Sequence, residues 1–349
     1  MTGRRRALPV LAAAVAAATL LGASARGAPT ACLRGVNLSG AEGGTVPGRA
    51  NFDYVYPTAE EVRRMASLGF TAIRLPVRWE RLQPRLDGPL DAGEAGRLDA
   101  VFDAAGAAGL STVLDLHNYA YYGRDRLGTP ALPAAALADL WGRIAARYGA
   151  RGKVVFSLMN EPHDVPGPAW AAAATEAIAA IRAAGARNLV LVSGTAWDGA
   201  HSWTADLPTG NNGRDMLAVR DPLDRFAFDV HQYLDADFSG RSAECSAAPR
   251  ALAGLDAVHA WLVANGRRGF LGEFGASAAP ACMAALGALV ERVDADPKAW
   301  LGWTAWAAGP WWPRDYPFDL QPTAAGAPPQ LALLARLAKG RPCRPLGAP

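Results

Sequence analysis

The chain is 349 residues long and 51% hydrophobic, which is enough for one large domain, or two small ones, with a sizeable buried core. Its 35 basic and 32 acidic residues leave a formal net charge of +3, with no run of lysine and arginine. This balance argues against a nucleic-acid-binding protein, which would carry a basic face.

The first segment has the pattern of a secretory signal peptide. Arginines at positions 4–6 precede an apolar run over residues 7–21, and small residues up to Ala25 offer an Ala-x-Ala cleavage site. An uncleaved membrane anchor is the alternative, but a membrane span needs roughly 20 apolar residues and this run is shorter. We therefore predict a signal peptide over residues 1–25, with cleavage as late as residue 28. The mature protein would be secreted, or exported to the periplasm, without stable membrane insertion.

Eight apolar runs of strand length follow one another along the remaining chain. They are mostly continuous rather than alternating, a pattern typical of parallel strands that are covered on both faces. The predicted strands begin at Leu33, Phe70, Leu110, Val154, Asn188, Arg225, Gly269 and Trp300.

Helical patterns separate most of these strands. In the first of them Thr58 has the position of an N-cap, Glu61 that of its capping-box partner and Gly69 that of the terminator. The other predicted helices cover residues 91–108, 133–148, 168–184, 251–265, 280–295 and 330–338. The long connection 194–224 is loop-like, with one short helix predicted near 214–219.

Eight strands alternating with about seven helices predict an α/β fold, a single-domain (β/α)8 TIM barrel over residues 29–345. A doubly wound open sheet is the alternative. That fold normally carries a glycine-rich phosphate loop after its first strand. Gly40, Gly43 and Gly44 follow the first strand here, but they do not have the required spacing.

Polar or aromatic residues recur at the carboxyl ends of the predicted strands. In a barrel these ends share one face, where the chemistry of this fold takes place. Because chance would scatter such residues over both ends of the strands, the set predicts a functional site on this face. Its members are Asn37, Arg74, His117, Asn118, Asn160, Glu161, His231, Tyr233, Glu273 and Trp306.

Glu161, in the sequence LMNEPH, and Glu273, in LGEFG, are candidate catalytic residues. A buried glutamate is costly unless it is paired or functional, and a structural salt bridge is the alternative for each. Two carboxyl groups on opposite sides of a barrel can flank one glycosidic bond. One then protonates the leaving oxygen while the other attacks the anomeric carbon. Together the two glutamates predict a glycoside hydrolase.

Four more strand-end residues have both a catalytic and a structural interpretation. Arg74 could keep Glu273 ionised, because a nearby cation favours the charged carboxylate, or it could form a plain ion pair. Tyr233 could donate a hydrogen bond to the nucleophile, or lie at the rim as an amphipathic residue. His117 and His231 could orient the pair, or simply be packed hydrogen-bonding residues.

Eleven tryptophans are many for a chain of this size. Aromatic rings stack on the apolar faces of sugars, so aromatic residues in loops on the functional face favour a groove for an extended sugar chain; core packing is the alternative. The loop residues are Trp79, Tyr119, Tyr121, Tyr122, Trp197, Trp203, Trp306, Trp311 and Trp312. Among them, Tyr119, Trp197, Trp311 and Trp312 are the candidate subsite residues. Core packing is predicted for Trp141, Trp261 and Trp300.

Four cysteines, an even number in an exported chain, favour two disulfides, and three pairings are possible. A bond between Cys32 and Cys343 would tie the two ends of a closed fold. Cys245 and Cys282 would then join two loops. None of the cysteine spacings fits a zinc site. We expect neither a metal nor a cofactor.

These residues together resemble glycoside hydrolase family 5, the cellulase family of retaining (β/α)8 barrels. The resemblance runs from RGVNLSGAE at Arg34 to WAAGPWW at Trp306. The motifs IRLP, DLHN, NEP, VHQY, GEFG and WAAG match the family's functional set in order, at Arg74, His117, Asn160, Glu161, His231, Tyr233, Glu273 and Trp306. The strings LPVRWERLQP, HQYLDADFSGRSAEC and WAAGPWW are similar to the family's secreted endo-β-1,4-glucanase branch.

The resemblance implies an endo-β-1,4-glucanase that acts on a β-glucan polysaccharide with retention of configuration. In it Glu161 is the acid/base and Glu273 the nucleophile. Asn160 is implied to hydrogen-bond the sugar 2-hydroxyl, and the remaining five matched residues to orient the pair and line the subsite beside it. The same branch implies a disulfide between Cys245 and Cys282.

Rival functions remain open beside this one. A β-mannanase, a mixed-linkage glucanase or a xyloglucanase would belong to the same family, because mannose and glucose differ only at the 2-hydroxyl. A non-catalytic polysaccharide-binding protein on the same barrel is a rival of another class, since a fold does not fix a function. Such a protein would usually have lost a carboxylate, whereas this chain has both. We expect a monomer.

Overall fold

The barrel predicted from the sequence is present. The computed structural model describes residues 1–3, 32–313, 315–324 and 326–340. Eight parallel strands pair in chain order, and the last pairs with the first to close the barrel. They are β1 (Leu33–Leu38), β2 (Ala72–Val77), β3 (Ser111–Leu116), β4 (Val154–Ser157), β5 (Val190–Ser193), β6 (Phe226–His231), β7 (Gly269–Glu273) and β8 (Trp300–Ala308).

Seven longer helices, among the residues that the structure describes, surround the barrel. The first begins with the predicted capping box, in which the Thr58 side chain accepts from the backbone of Glu61 and the Glu61 carboxylate accepts from that of Thr58. The helices are α1 (Ala59–Ser67), α2 (Ala92–Ala107), α3 (Ala134–Tyr148), α4 (Gly167–Ala183), α5 (Ala248–Ala264), α6 (Pro280–Ala295) and α7 (Pro329–Gly340).

The interior of the barrel changes from apolar to polar along several of its strands. Alternate residues of a strand point to the same side, so the inward positions can be read two residues apart. In β3 they run from Val113 through Asp115 towards His117, and in β6 from Ala227 through Asp229 to His231. The apolar members, with equivalents from the other strands, form a closed cluster at the amino-terminal ends of the strands. The polar members therefore collect at the carboxyl-terminal face.

Three features of the connections differ from the prediction. Helix α5 begins at Ala248, three residues earlier than expected, because Pro249 lies in its first turn, where no backbone N–H is needed. The short helix after β5 begins at Asn212, and its end is a 3-10 turn over Met216–Ala218. A short hairpin that pairs Tyr121–Tyr122 with Asp125–Arg126 was not predicted.

A disulfide joins Cys245, in the loop before α5, to Cys282, in the first turn of α6. This pairing is confirmed. Cys343, the predicted partner of Cys32, lies outside the described residues, as does nearly all of the predicted signal peptide. In the part of the chain that the structure describes, no helix combines the length and the hydrophobicity that crossing a bilayer requires.

Candidate active site

The centre of the polar face is the guanidinium of Arg74, which is fully buried. Its Nη1 donates to Glu273 Oε1 at 2.6 Å and to Asn37 Oδ1 at 2.8 Å. Its Nη2 donates to Asn160 Oδ1 at 2.7 Å and lies 3.0 Å from Asp115 Oδ1. Although burial alone would lower the pKa of Arg74, Asp115 and Glu273 raise it, so the cation is retained in the barrel.

The Glu273 carboxylate, at the end of β7, is held by two donors. Arg74 occupies Oε1, and the Tyr233 hydroxyl donates to Oε2 at 2.9 Å. Only 4% of Glu273 is exposed, so these bonds form in a largely dry environment, where they are strong. The Tyr233 ring is itself fixed by stacking on Phe318, with ring centres 5.9 Å apart. Both carboxylate oxygens are therefore oriented by rigid parts of the fold.

Asp115 connects Arg74 to His117. Its Oδ2 lies 2.8 Å from His117 Nδ1, and the other nitrogen of that ring, Nε2, lies 3.3 Å from Asn160 Nδ2. Burial would raise the pKa of Asp115, but Arg74 and His117 outweigh it and hold that pKa below its usual range. Burial would lower the pKa of His117, but the Asp115 carboxylate outweighs it and raises the pKa of the imidazole. The network fixes both ends of the Asn160 side-chain amide next to Glu161.

Glu161 follows Asn160 at the end of β4, and its surroundings differ from those of Glu273. Its backbone has a φ of 45°, in the left-handed region that non-glycine residues rarely adopt and that is found repeatedly at functional sites. Its side chain is 18% exposed and therefore opens to the cleft. Burial raises the pKa of Glu161 to about 7, which keeps this carboxyl protonated in mildly acidic solution.

His231, at the end of β6, touches both glutamates. Its Nδ1 lies 2.7 Å from Glu161 Oε1 and 3.6 Å from Glu273 Oε2. Burial lowers the pKa of His231 to about 3, so the imidazole is neutral and one of its nitrogens can accept a proton. Because both distances are measured from the same nitrogen, Glu161 Oε1 and Glu273 Oε2 are at most about 6.3 Å apart.

A third carboxyl lies beside this contact. Asp198, in the turn after β5, is fully buried, and its Oδ1 is 3.4 Å from His231 Nδ1. Burial, with further contributions from Glu161 and Asp229, raises the pKa of Asp198 well above its usual value. Among the described residues, Glu161, Asp198 and His231 are the group of three whose ligand atoms come close enough, within 4.8 Å of one another, to hold a metal ion.

A family model described as Cellulase (glycosyl hydrolase family 5) matches residues 24–309. The chain belongs to glycosyl hydrolase family 5. The match covers the barrel from before β1 to the end of β8, and with it every residue of the site described above except Phe318.

Relatives of this family 5 chain include fungal and bacterial enzymes. The endo-beta-1,4-glucanase B of Emericella nidulans is 32% identical over 292 residues, which cover 83% of this chain and 86% of that one. Among solved structures, an endo-beta-1,4-glucanase from Xanthomonas axonopodis pv. citri is 42% identical, with a TM-score of 0.86 and coverage of 88% and 99%. The endoglucanase Cel5A of Pseudomonas stutzeri, in complex with cellobiose, is 30% identical, with a TM-score of 0.79 and coverage of 88% and 92%.

Aromatic residues line the face of the family 5 barrel around the two glutamates, but not all those predicted. Trp306 stacks on His117 at 5.5 Å and contacts Trp312 at 5.8 Å. Tyr119 packs edge-on against His117. Trp197 is 53% exposed and stacks on the His163 ring at 4.8 Å. Their rings therefore border the opening of the cleft. Trp311, which is 40% exposed, is a fifth aromatic residue and lies in the same loop as Trp312.

Trp79 and Trp203 are corrections to the predicted aromatic groove. Both are fully buried and belong to the hydrophobic core. Trp79 begins a short helix over Trp79–Leu82, and its indole N–H donates to Gln83 at 3.0 Å. Trp203 packs edge-on against Phe228. Trp79 comes directly after β2, and Trp203 follows the 3-10 turns after β5; both rings pack into the barrel wall, away from a substrate. Trp141 and Trp300 lie in the core as predicted, and Trp261 packs against it.

Three acidic residues of the site were missed in the sequence, and two had a signal. Asp115 and Asp229 each stand two residues before a strand-end histidine, in DLH and DVH, and so share its inward direction. Ser157 donates to Asp229 Oδ2 at 3.3 Å. Asp198 had no such signal, because only the path of its turn brings it to His231.

Proposed function

We propose that this family 5 chain is an endo-β-1,4-glucanase that hydrolyses internal bonds of a β-glucan with retention of configuration. The contact of His231 Nδ1 with both Glu161 and Glu273 carries this proposal, because it limits the separation of the two carboxyl groups. A limit of roughly 6 Å agrees with the separation of about 5 to 5.5 Å in retaining glycosidases. Inverting enzymes need about 6.5 to 9.5 Å, to leave room for a water molecule.

The surroundings of the two glutamates support different roles for them. Glu273, whose oxygens accept from Arg74 and Tyr233, would attack the anomeric carbon as the nucleophile and form a glycosyl-enzyme. Glu161, whose pKa is raised to about 7, would give its proton to the departing oxygen. It would then take a proton from the water that releases the glycosyl group. This division gives the proton to the carboxyl whose pKa burial raises, and the attack to the carboxylate that two donors orient.

The neighbouring polar residues would position the substrate and the pair. Asn160, held by Arg74 and His117, would present its amide to the sugar 2-hydroxyl. Trp306 would provide the surface beneath the sugar ring, since it stacks on His117 and remains 8% exposed. Tyr119, Trp197, Trp311 and Trp312 would bind further sugars along the cleft.

The substrate class comes from the relatives. Proteins named endo-beta-1,4-glucanase resemble this chain over most of its length, and one endoglucanase of known structure binds cellobiose. Secretion is part of the proposal, supported by the signal-peptide pattern and by the Cys245–Cys282 bond, which is typical of exported proteins. We propose that the enzyme acts as a monomer.

The test is the release of reducing sugar from carboxymethylcellulose by the wild type and by Glu273→Gln. Glu291→Gln, a change of the same kind at an exposed position of α6, is the matched control. We expect the first variant to lose nearly all activity and the second to retain it. Activity on mannan but not on cellulose would overturn the substrate, and full activity of Glu273→Gln would overturn the nucleophile. Binding of glucan without any new reducing ends would overturn the enzyme.

A further inference from the structure

The least explained group in the site is the Asp198 carboxyl. It is fully buried, and neither of its oxygens has a hydrogen-bond partner among the described residues. The nearby hydroxyl of Ser193 donates to the carbonyl of Met159 at 2.6 Å. Leaving a buried carboxyl without partners is costly, so such a group is suited to a ligand that carries positive charge.

The atoms around Asp198 are those that a transition-metal ion prefers. Asp198 Oδ1 and Glu161 Oε1 lie 3.4 Å and 2.7 Å from His231 Nδ1, and all three ligand atoms fall within 4.8 Å of one another. Zinc binds imidazole nitrogen and carboxylate oxygen at about 2.0 to 2.2 Å, which places tetrahedral ligands roughly 3.4 Å apart. To bind one ion, the contact between Glu161 and His231 would open by less than an ångström, and the carboxylate oxygens of Glu161 and Asp198, which lie within 4.8 Å of each other, would adjust to the same spacing.

We propose that Glu161, Asp198 and His231 form an inhibitory site for a divalent transition-metal ion such as Zn²⁺. The Glu161 side chain opens to the cleft, which gives the ion a path inwards and leaves its fourth position to water. The proposed role of Glu161 as the acid/base makes binding inhibitory, and in this respect the inference rests on the proposed function. A carboxylate that is coordinated to a metal can neither donate nor accept the proton on which hydrolysis depends.

The surroundings of His231 set the expected strength of binding. Metal-bound histidines usually donate their second ring N–H to a carbonyl or carboxylate, and loss of such a partner costs roughly 10- to 100-fold in affinity. His231 Nε2 is buried and has no hydrogen-bond partner among the described residues. We therefore expect a dissociation constant in the micromolar range, which suits a reversible inhibitor rather than a structural metal.

Isothermal titration of Zn²⁺ into the wild type, Asp198→Asn and Asp164→Asn tests the site directly. Asp164 is the matched control, because it forms a second His–Asp pair near the cleft, with His163 at 2.8 Å. The expected result is one ion per wild-type chain, binding weakened roughly tenfold or more in Asp198→Asn, and unchanged binding in Asp164→Asn. Equal binding by wild type and Asp198→Asn, or loss of binding only in Asp164→Asn, would overturn the proposal. If Asp198→Asn does not fold, judged by circular dichroism, His231→Gln takes its place with the same expected loss.

Hydrolysis of cellopentaose, an uncharged substrate that does not bind the ion, supplies the second measurement. In a phosphate-free buffer, wild-type activity should fall as the site fills and return on addition of EDTA, while Asp198→Asn should keep its own metal-free rate at the same Zn²⁺ concentration. A chain that binds zinc but hydrolyses no glucan would refute the proposed function and leave the metal site standing. A chain that hydrolyses cellopentaose and binds no zinc would refute only the site.

Discussion

At the scale of single residues, some buried groups of the site stay charged because they are paired, and others become neutral because burial raises their pKa. Arg74 keeps its charge because Asp115 and Glu273 surround it. Glu161 and Asp229 lie in the same barrel, yet burial raises the pKa of each to about 7. One buried arginine thus supports two carboxylates, and further carboxyl groups avoid repulsion by holding a proton. The raised pKa values should therefore be visible in how activity and stability depend on pH.

The first prediction concerns the pH dependence of hydrolysis. Because the free enzyme needs Glu161 protonated, kcat/KM should fall as the pH rises through the pKa of about 7, and should approach a tenfold loss per pH unit above it. The measurement is kcat/KM for cellopentaose between pH 4 and pH 9, with circular dichroism at each pH to confirm that the protein is folded. A profile that stays flat to pH 9 in folded protein would contradict the role assigned to Glu161.

The second prediction concerns stability and Asp229→Asn. Between the ordinary pKa of an aspartate, 3.8, and the raised value of about 7, the native state holds a proton on Asp229 that the unfolded state has lost. Its contribution to the free energy of unfolding therefore falls as the pH rises, by up to about 1.4 kcal/mol per unit. Asparagine does not titrate, so the variant should gain stability relative to the wild type between pH 4.5 and pH 7.

Urea unfolding at these two pH values measures the effect. Asp206→Asn is the control, because its side chain is 85% exposed and a change there should shift both midpoints alike. If the difference between Asp229→Asn and the wild type does not grow with pH, then Asp229 is ionised in the folded protein. In that case Arg74 would have to neutralise three carboxylates.

At the scale of elements, the strands were the most predictable part of the fold. Their continuous apolar runs reflect burial between the barrel interior and the helices, a constraint that is local to each strand and legible in the sequence. The strand-end positions of Glu161 and Glu273 follow from the same pattern. The short helices after strands could not be predicted from the sequence, because only tertiary packing decides whether a residue such as Trp79 points to the core or to the cleft. Asp198 was missed for the same reason.

The third prediction compares two glycines in neighbouring elements. On β7, a Cβ at Gly272 would lie 2.2 Å from Asp229 Oδ1 and 2.8 Å from its Cγ, so Gly272→Ala must displace the buried carboxyl or the strand. On α6, a Cβ at Gly287 would meet nothing within 4 Å. We expect Gly272→Ala to destabilise the protein by about 1 to 3 kcal/mol and to lower activity through its neighbour Glu273. Gly287→Ala should stabilise it, by up to about 1 kcal/mol, through helix propensity.

Thermal unfolding and hydrolysis of carboxymethylcellulose, measured on both variants, separate the two expectations. The pair is informative because the chemical change is the same in each, the addition of one methyl group. If both variants shift the unfolding temperature in the same direction, the close approach of β7 to Asp229 is not what makes Gly272 necessary.

At the scale of the whole molecule, the apolar core of the barrel and its polar site lie at opposite ends of the strands. The apolar cluster at the amino-terminal ends of the strands fills the interior, and the polar network at the other end is built on it. The loops above the network are held by separate interactions. One of them, the loop after Tyr233, is tied by the Asp235 carboxylate, which accepts from the backbone of Gly240, Arg241 and Ser242. The Cys245–Cys282 bond fastens the end of this loop to α6.

The last prediction follows from the different effects of the disulfide and of the Asp235 hydrogen bonds, the first on stability and the second on the shape of the loop. Cys245→Ser with Cys282→Ser removes a link between residues 37 apart in sequence, and chain entropy alone assigns such a link about 4 kcal/mol of the free energy of unfolding. The hydrogen bonds to Asp235 remain, so the loop should keep its shape against the Tyr233 ring, which approaches Gly240 closely. We therefore expect a clearly lower unfolding temperature with kcat at 25 °C within about twofold of the wild type. A large loss of kcat in folded variant protein would instead show that the disulfide positions Tyr233, and through it Glu273. In that case the stability of the loop and the orientation of the proposed nucleophile would depend on the same bond.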